Sequence, residues 1–217
     1  MNFSKFDSIL FDLDGTLVDT MELHFVTWAA VLSRLDISLE RSFFLRNEGA
    51  NIHQFMSRVT GIDDRAQVEE LVREKDSIFI EQYEFRVFEG VYELIALLQQ
   101  LELKLGIVTA SSAWRLRQTV PAEFLDLFHV VITGDTPGPG KPDPWPYTSA
   151  MNELSCVASR SLVIENAPLG IISAKRAGAH CVGICTTLSA SYLIGADDHY
   201  DSIIDFYLSC KNVPDNR

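Results

Sequence analysis

Apolar positions along the chain follow two rhythms, and these divide it into two regions. From about residue 88 onward, helical stripes alternate with short continuous apolar runs. Val91, Leu94, Ile95, Leu98 and Leu101 recur at helical spacing, and residues 103–108 then read as a short buried strand. A short helix over 124–128 precedes a strand over 130–133, and a helix over 144–154 precedes a strand over 161–164. A last pair follows: a helix over 168–177, closed by Gly178, and a strand over 181–184. Strands alternating with helices predict an α/β fold whose parallel sheet is covered on both faces.

Residues 18–87 lack that alternation. Phe25, Trp28, Ala29, Leu32 and Leu35 mark one amphipathic helix, and residues 52–59 suggest a second. Asp63-Asp64 can cap a third, which carries Val68, Leu71, Val72 and Phe79. The expected organisation is a core of residues 1–17 and 88–217 with an all-helical insertion at 18–87. Placed directly after the first strand, that insertion could close over whatever the strand presents.

The first apolar run is Ile9-Leu10-Phe11, and it delivers Asp12 and Asp14 before Gly15 and Thr16 end it. Side chains alternate along an extended chain, so Asp12 and Asp14 project to one side and Leu13 to the other. Two carboxylates that close repel each other unless they share a proton or a cation. Glycine suits a tight exit and lets a ligand approach the main chain. The plain alternative is a strand end whose acids face water.

Composition narrows the partners. The chain has 217 residues, 47% of them hydrophobic, with a mean hydropathy of +0.09, which describes a folded globule. Thirty acidic against 18 basic residues give a net charge of −12, which argues against nucleic acid, because phosphate backbones are held by clustered Lys and Arg. The most apolar stretch, residues 91–108, is broken by Glu93, Glu102 and Lys104, so no membrane span is expected, and the N-terminus shows no export signal. Cys156, Cys181, Cys185 and Cys210 form no C-x-x-C pair; they read as small buried residues in a reducing, cytoplasmic compartment. Nothing in these residues sets an oligomeric state.

Ligands of a parallel sheet bind beyond the carboxyl ends of its strands, so the polar residues there are the ones to collect. They are Asp12 and Asp14; Thr109, Ala110, Ser111 and Ser112; Lys141 in the loop 134–144; and Glu165 with Asn166. Taken singly, Lys141 is a solvated loop charge, Thr109 a strand-end cap and Asn166 a helix cap. Together they suit a phosphoryl group beside a divalent metal. Asp12, Glu165 and Asn166 offer hard oxygens, while Thr109, nearby amides and Lys141 can hold phosphate oxygens.

In this order the motifs FDLDGTLVDT, TAS, GKPDP and VIENAPLGI resemble the haloacid dehalogenase superfamily along essentially the whole chain. The resemblance implies a Rossmann-like core with a helical cap, as in phosphoglycolate phosphatase-like and β-phosphoglucomutase-like members. It implies Mg²⁺ as cofactor and a small phosphorylated substrate. Asp12 would attack phosphorus to form an aspartyl phosphate, and Asp14 would serve as acid and base while lending its main-chain carbonyl to the metal. Thr109, Ala110 and Lys141 would bind phosphate. A second aspartate favours phosphoryl transfer over dehalogenation, since halide needs no proton.

Phosphonate cleavage in the family needs a cap lysine, and Lys75, within Arg73-Glu74-Lys75-Asp76, is expected on a solvated helix face. His24 resembles the hinge histidine of the mutases, with a helix-surface histidine as the alternative. The cap loop supplies Arg46, Glu48, Asn51 and His53 as candidates for specificity, but only Arg46 could replace the cations that mutases use for a second phosphate, so hydrolysis is favoured over mutase chemistry, and the intact pair Asp12 and Asp14 argues against a non-enzymatic sensor. Asn166 stands where the family usually has aspartate; Glu165 is then expected as the main metal ligand, with Asn166 acting through water or capping the next helix.

Overall fold

A computed structural model describes residues 1, 3–50 and 52–211. Six parallel strands form one sheet in the order β3-β2-β1-β4-β5-β6, with β1 (Ser8–Phe11) at its centre between β2 (Lys104–Val108) and β4 (Ser161–Glu165). Outside these lie β3 (Val130–Ile132), β5 (His180–Ile184) and β6 (Asp198–Tyr200). Period-two alternation sorts β1 between the two layers of the core. Ile9 and Phe11 pack with α5 (Val91–Gln100) and α10 (Ile203–Lys211), while Leu10 packs with α8 (Trp145–Glu153) and α9 (Pro168–Arg176). All three side chains are fully buried, worth about 1.5–3 kcal/mol each. The centre of the sheet is thus anchored on both faces, and the chain leaving it is held at a fixed place.

The insertion is helical as expected: α1 (Met21–Ser33), α2 (Arg41–Arg46), α3 (Ile52–Thr60) and α4 (Arg65–Gln82). It has its own apolar cluster, built on Trp28, Leu32, Phe44, Phe55, Met56 and Val68. Asp64 caps α4 by accepting from the Gln67 amide at 2.9 Å. The segments joining it to the core run side by side, with Asp19 N–H bonded to Arg86 O and Phe88 N–H to Leu17 O.

Sequence periodicity did not indicate α2, α6 (Ala113–Thr119), β6 or α10, and it placed the other elements to within a few residues. The inner face of α1 is also rotated from the expected stripe. Met21, His24, Thr27, Trp28, Val31 and Leu32 are buried, whereas Leu35 lies beyond the helix and is exposed. Among the described residues no helix is long and apolar enough to cross a membrane, and the four cysteines are unpaired.

Candidate active site

Asp12 follows β1 directly, its amide bonded to Ile164 O at 3.0 Å. Lys141 meets it from the loop after β3: Nζ donates to Asp12 Oδ1 at 2.6 Å, to Glu165 Oε1 at 2.7 Å and to Val108 O at 3.0 Å. One ammonium thus ties together the ends of β1, β2 and β4. Burial opposes its charge, but Asp12 and Glu165 outweigh that and raise its pKa above the ordinary lysine value. Burial also acts on Asp12. With Glu165 and Asp14 nearby, and against the pull of Lys141, its carboxyl is pushed up to about 8. An ionised Asp12 at neutral pH therefore calls for further positive charge beside it.

Asp14 has a different set of neighbours. Thr20 Oγ1 donates to its Oδ1 at 2.8 Å, and Ser111 Oγ and Arg115 Nη2 donate to its Oδ2 at 2.7 and 2.9 Å. Burial works against the carboxylate, yet the Arg115 charge and the Ser111 hydrogen bond outweigh it and hold Asp14 well below the usual carboxylate range. The two aspartates, adjacent in sequence but for Leu13, are thereby separated in character.

His24 is buried against this group, stacked on Phe79. Its Nε2 lies 2.7 Å from Arg115 Nη1 and 3.2 Å from Asp14 Oδ1, and its Nδ1 lies 2.7 Å from Lys75 Nζ. Arginine cannot give up its proton, so the shorter contact assigns Nε2 as acceptor and Nδ1–H as donor toward a neutral Lys75 amine. The electrostatics agree. Burial, with Arg115 adding, pushes Lys75 down to about 7, and burial with the Lys75 and Arg115 charges pushes His24 down to about 3.

Lys75 is therefore not on a solvated face. It is 3% exposed, and Val68, Lys75, Asp76 and Phe79 form the inner stripe of α4. The two groups are admitted because each has a partner: Lys75 Nζ donates to Asp76 Oδ1 at 3.1 Å, and the Arg115 charge stands 3.9 Å from the same oxygen.

Glu165, expected as the main metal ligand, has protein partners on both of its oxygens. Its Oε1 accepts from Lys141 and, at 2.6 Å, from Tyr147 Oη; its Oε2 accepts from the amides of Asn166 and Ala167. Gly170 permits this, for a Cβ there would fall 1.7 Å from Oε1. Asn166 does not cap α9, whose N-cap is Ala167. Its Oδ1 accepts from Thr16 Oγ1, and its Nδ2 donates to Glu48 Oε1 and Thr187 Oγ1, each at 2.9 Å. Gly15, at φ +82°, passes close beneath that amide.

The remaining candidates divide. Thr109 is buried, and its hydroxyl shapes the turn by donating to Ser111 Oγ and accepting from Ser111 N–H, both at 3.0 Å; Ala110 is exposed beside it. Glu48 reaches the core, whereas Arg46 is exposed and faces Ser42 Oγ at 3.4 Å on its own helix. His53 is half-buried on α3, and Asn51 lies outside the described residues. Sequence reasoning missed Arg115, Asp76 and Tyr147 as site residues. The one local signal for Arg115 is its place one turn into a helix capped by Ser112, which accepts from the Arg115 amide at 3.1 Å.

A parallel sheet with two buried aspartates and a lysine gathered at its strand ends is the layout of an α/β phosphohydrolase class of enzyme. The profile of the haloacid dehalogenase-like hydrolases matches residues 9–184, and the chain belongs to that family. It is 34% identical to validoxylamine A 7'-phosphate phosphatase of Streptomyces hygroscopicus subsp. limoneus, over 87% of this chain and 90% of that one. It is 26% identical to β-phosphoglucomutase of Bacillus subtilis (strain 168), over 82% of each. A hydrolase from Pseudomonas syringae superimposes with a TM-score of 0.84 at 25% identity, covering 93% of this chain and 96% of that one.

Proposed function

We propose that this protein is a Mg²⁺-dependent phosphatase that hydrolyses a small phosphorylated metabolite, a sugar phosphate or phosphorylated organic acid, through an aspartyl phosphate on Asp12. Its standing as a phosphoric monoester hydrolase rests on the family and on phosphatase relatives covering most of the chain. The finer reading rests on one observation above all: Asp12 and Asp14 share a strand end but are bound by different cations. Asp12, beside Lys141, attacks phosphorus, and the P–O bond to the leaving group breaks as the Asp12–phosphorus bond forms. Asp14 gives a proton to the leaving oxygen and takes one from the water that then releases phosphate, regenerating Asp12. Lys141 and the amides after Asp12 balance charge on the transferring group.

Asp12, the Asp14 main-chain carbonyl and Asn166 Oδ1 are the residues suited to the metal. No three His, Cys, Asp or Glu side chains gather as a preformed cage among the described residues, and Mg²⁺ requires none because it keeps several waters. The raised pKa of Asp12 and a buried, unpartnered oxygen on Glu48 both fit a cation at this place. When bound, Mg²⁺ would neutralise the phosphoryl oxygens and keep Asp12 ionised.

Residues 18–87 would act as a cap moving on the paired segments beside Val18 and Val87. Mutase chemistry is the weaker reading. Arg46 is turned away, and the group the cap loop brings to the core is a carboxylate, which would repel a second phosphate. A chromogenic phosphate ester tests the proposal. Turnover that is lost with chelator and with Asp12→Asn is expected; turnover persisting in Asp12→Asn, or absent across a broad panel of phosphate esters, would overturn it.

A further inference from the structure

Glu48 belongs to the cap, in the turn between α2 and α3, yet its carboxylate lies inside the core site. Oε1 accepts from Asn166 Nδ2 at 2.9 Å, while Oε2 is buried without a hydrogen-bond partner among the described residues. Buried carboxylate oxygens are almost always matched by donors or cations, so one without either is held for a group the chain does not supply.

The surrounding charges identify that group. Glu48 is hydrogen-bonded to Asn166, whose main-chain amide donates to Glu165 Oε2, and Lys141 joins Glu165 to Asp12, so the Glu48 carboxylate stands among the strand-end acids and feels the charges of Asp12, Glu165 and Asp14. The cations bound to them are Lys141, on Asp12 and Glu165, and Arg115, on Asp14. With all four carboxylates ionised, negative charges would outnumber these two cations by two, and burial presses Asp12 and Glu48 toward their protonated forms until a cation offsets that excess. A divalent cation balances that count, whereas an anionic phosphate alone would aggravate it.

The amide at position 166 now has a physical reason. An aspartate there would set a second carboxylate within hydrogen-bonding distance of Glu48, and the two would repel. Asparagine donates a hydrogen bond to Glu48 and keeps Oδ1 as a neutral oxygen donor.

We propose that Glu48 is the cap-borne carboxylate of the metal site: the charge that position 166 lacks is carried on the cap and brought to the metal through Glu48 Oε2 when the cap meets the core. The proposal rests on the phosphatase reading only in taking a divalent cation to be used at this site. Because Glu48 and Asn166 stand on different units, cation binding and cap closure become one linked equilibrium, each favouring the other.

The test uses the intact protein without substrate. Mg²⁺ and Mn²⁺ are titrated calorimetrically into wild type, Glu48→Gln, Asn166→Asp and the double variant, with circular dichroism verifying the fold. Glu48→Gln is expected to weaken affinity about 10- to 100-fold. Glu48→Gln with Asn166→Asp should recover to within about 3-fold of wild type, because the carboxylate returns to the core. Small-angle scattering should show Mg²⁺ compacting the wild type but not Glu48→Gln.

Cation affinity unchanged in Glu48→Gln would overturn the proposal and leave Oε2 to a cationic group of the substrate. A double variant no better than Glu48→Gln, equal compaction of both proteins, or a wild type that binds neither ion would overturn it as well. A protein that binds Mg²⁺ through Glu48 but hydrolyses no ester would defeat the phosphatase reading alone. A phosphatase whose Glu48→Gln variant binds Mg²⁺ normally would defeat this one alone.

Discussion

Arg115 donates to Asp14 Oδ2 at 2.9 Å from a helix that begins beyond a different strand, and both groups are largely buried. Its other nitrogens reach His24 on α1 and approach Asp76 on α4. A single guanidinium therefore fixes the Asp14 carboxylate while reaching α1 and α4 of the helical insertion. In the proposed mechanism Asp14 serves both half-reactions only if its carboxylate is aimed at the leaving oxygen in one and at water in the other. The fork of Arg115, with Ser111 and Thr20, sets that aim.

Arg115→Met should lower kcat about 10- to 100-fold with a much smaller change in KM, as expected for a group that acts through the acid–base residue. The pH profile should move in a definite direction. Arg115 favours the ionised form of Asp14, so its loss raises the Asp14 pKa and moves whichever limb of the rate profile Asp14 sets to higher pH. Arg115→Lys should recover part of the charge effect but not the two-pronged geometry. Steady-state kinetics from pH 4.5 to 8 on a chromogenic ester would check this; a Met variant with the wild-type pH profile would show that Arg115 only packs.

The parts of this arrangement that could be read from the sequence share a property that Arg115 lacks. Ile9, Leu10 and Phe11 announce a strand buried on both faces, and Asp12, Asp14 and Lys141 then stand at strand ends in a legible order. Arg115 gathers Asp14, His24 and Asp76 from three distant segments, so no local pattern reports it. Lys75 misled for the opposite reason. Its helical register points inward with Val68 and Phe79, but a charged residue is ordinarily taken to face water, and only the tertiary partners reverse that expectation. Edge strand β6 is short and polar, Asp-His-Tyr, and offers no apolar rhythm to detect.

Lys75 should make stability depend on pH in a way its removal abolishes. Burial and Arg115 press its folded-state pKa to about 7 from an ordinary value of 10.5. Between those limits the unfolded chain holds a proton that the folded protein does not, so stability rises with pH across that window. Below about 7 both states are protonated and the full penalty, a few kcal/mol, applies. Lys75→Met also removes a partner of buried Asp76, so its effect on the melting temperature should be more favourable at pH 6 than at pH 9 by the size of this penalty difference. Thermal denaturation at both pH values tests it, and equal shifts would show that the buried amine is not titrating in this range.

Tyr147 offers the cleanest separation of stability from chemistry. Its hydroxyl donates to Glu165 Oε1 at 2.6 Å from α8, fully buried, while Lys141 reaches the same oxygen and lies over the Tyr147 ring. Burial, with the Glu165 charge, holds the phenol protonated far above its ordinary range, so it acts as a donor at every working pH. Tyr147→Phe keeps the ring and leaves Glu165 with Lys141 and two backbone amides. Losing a hydrogen bond to a charged acceptor costs about 1.5–3 kcal/mol. At about 2–4 °C per kcal/mol for a chain of this size, the melting temperature should fall by roughly 3–12 °C. Because Lys141 still bridges Asp12 and Glu165, kcat should drop less than about tenfold, whereas Lys141→Met should remove turnover. Paired melting curves and kinetics on the two variants decide the matter. A Tyr147→Phe protein that melts with wild type, or loses as much activity as Lys141→Met, would mean that Glu165 is not held in the way described.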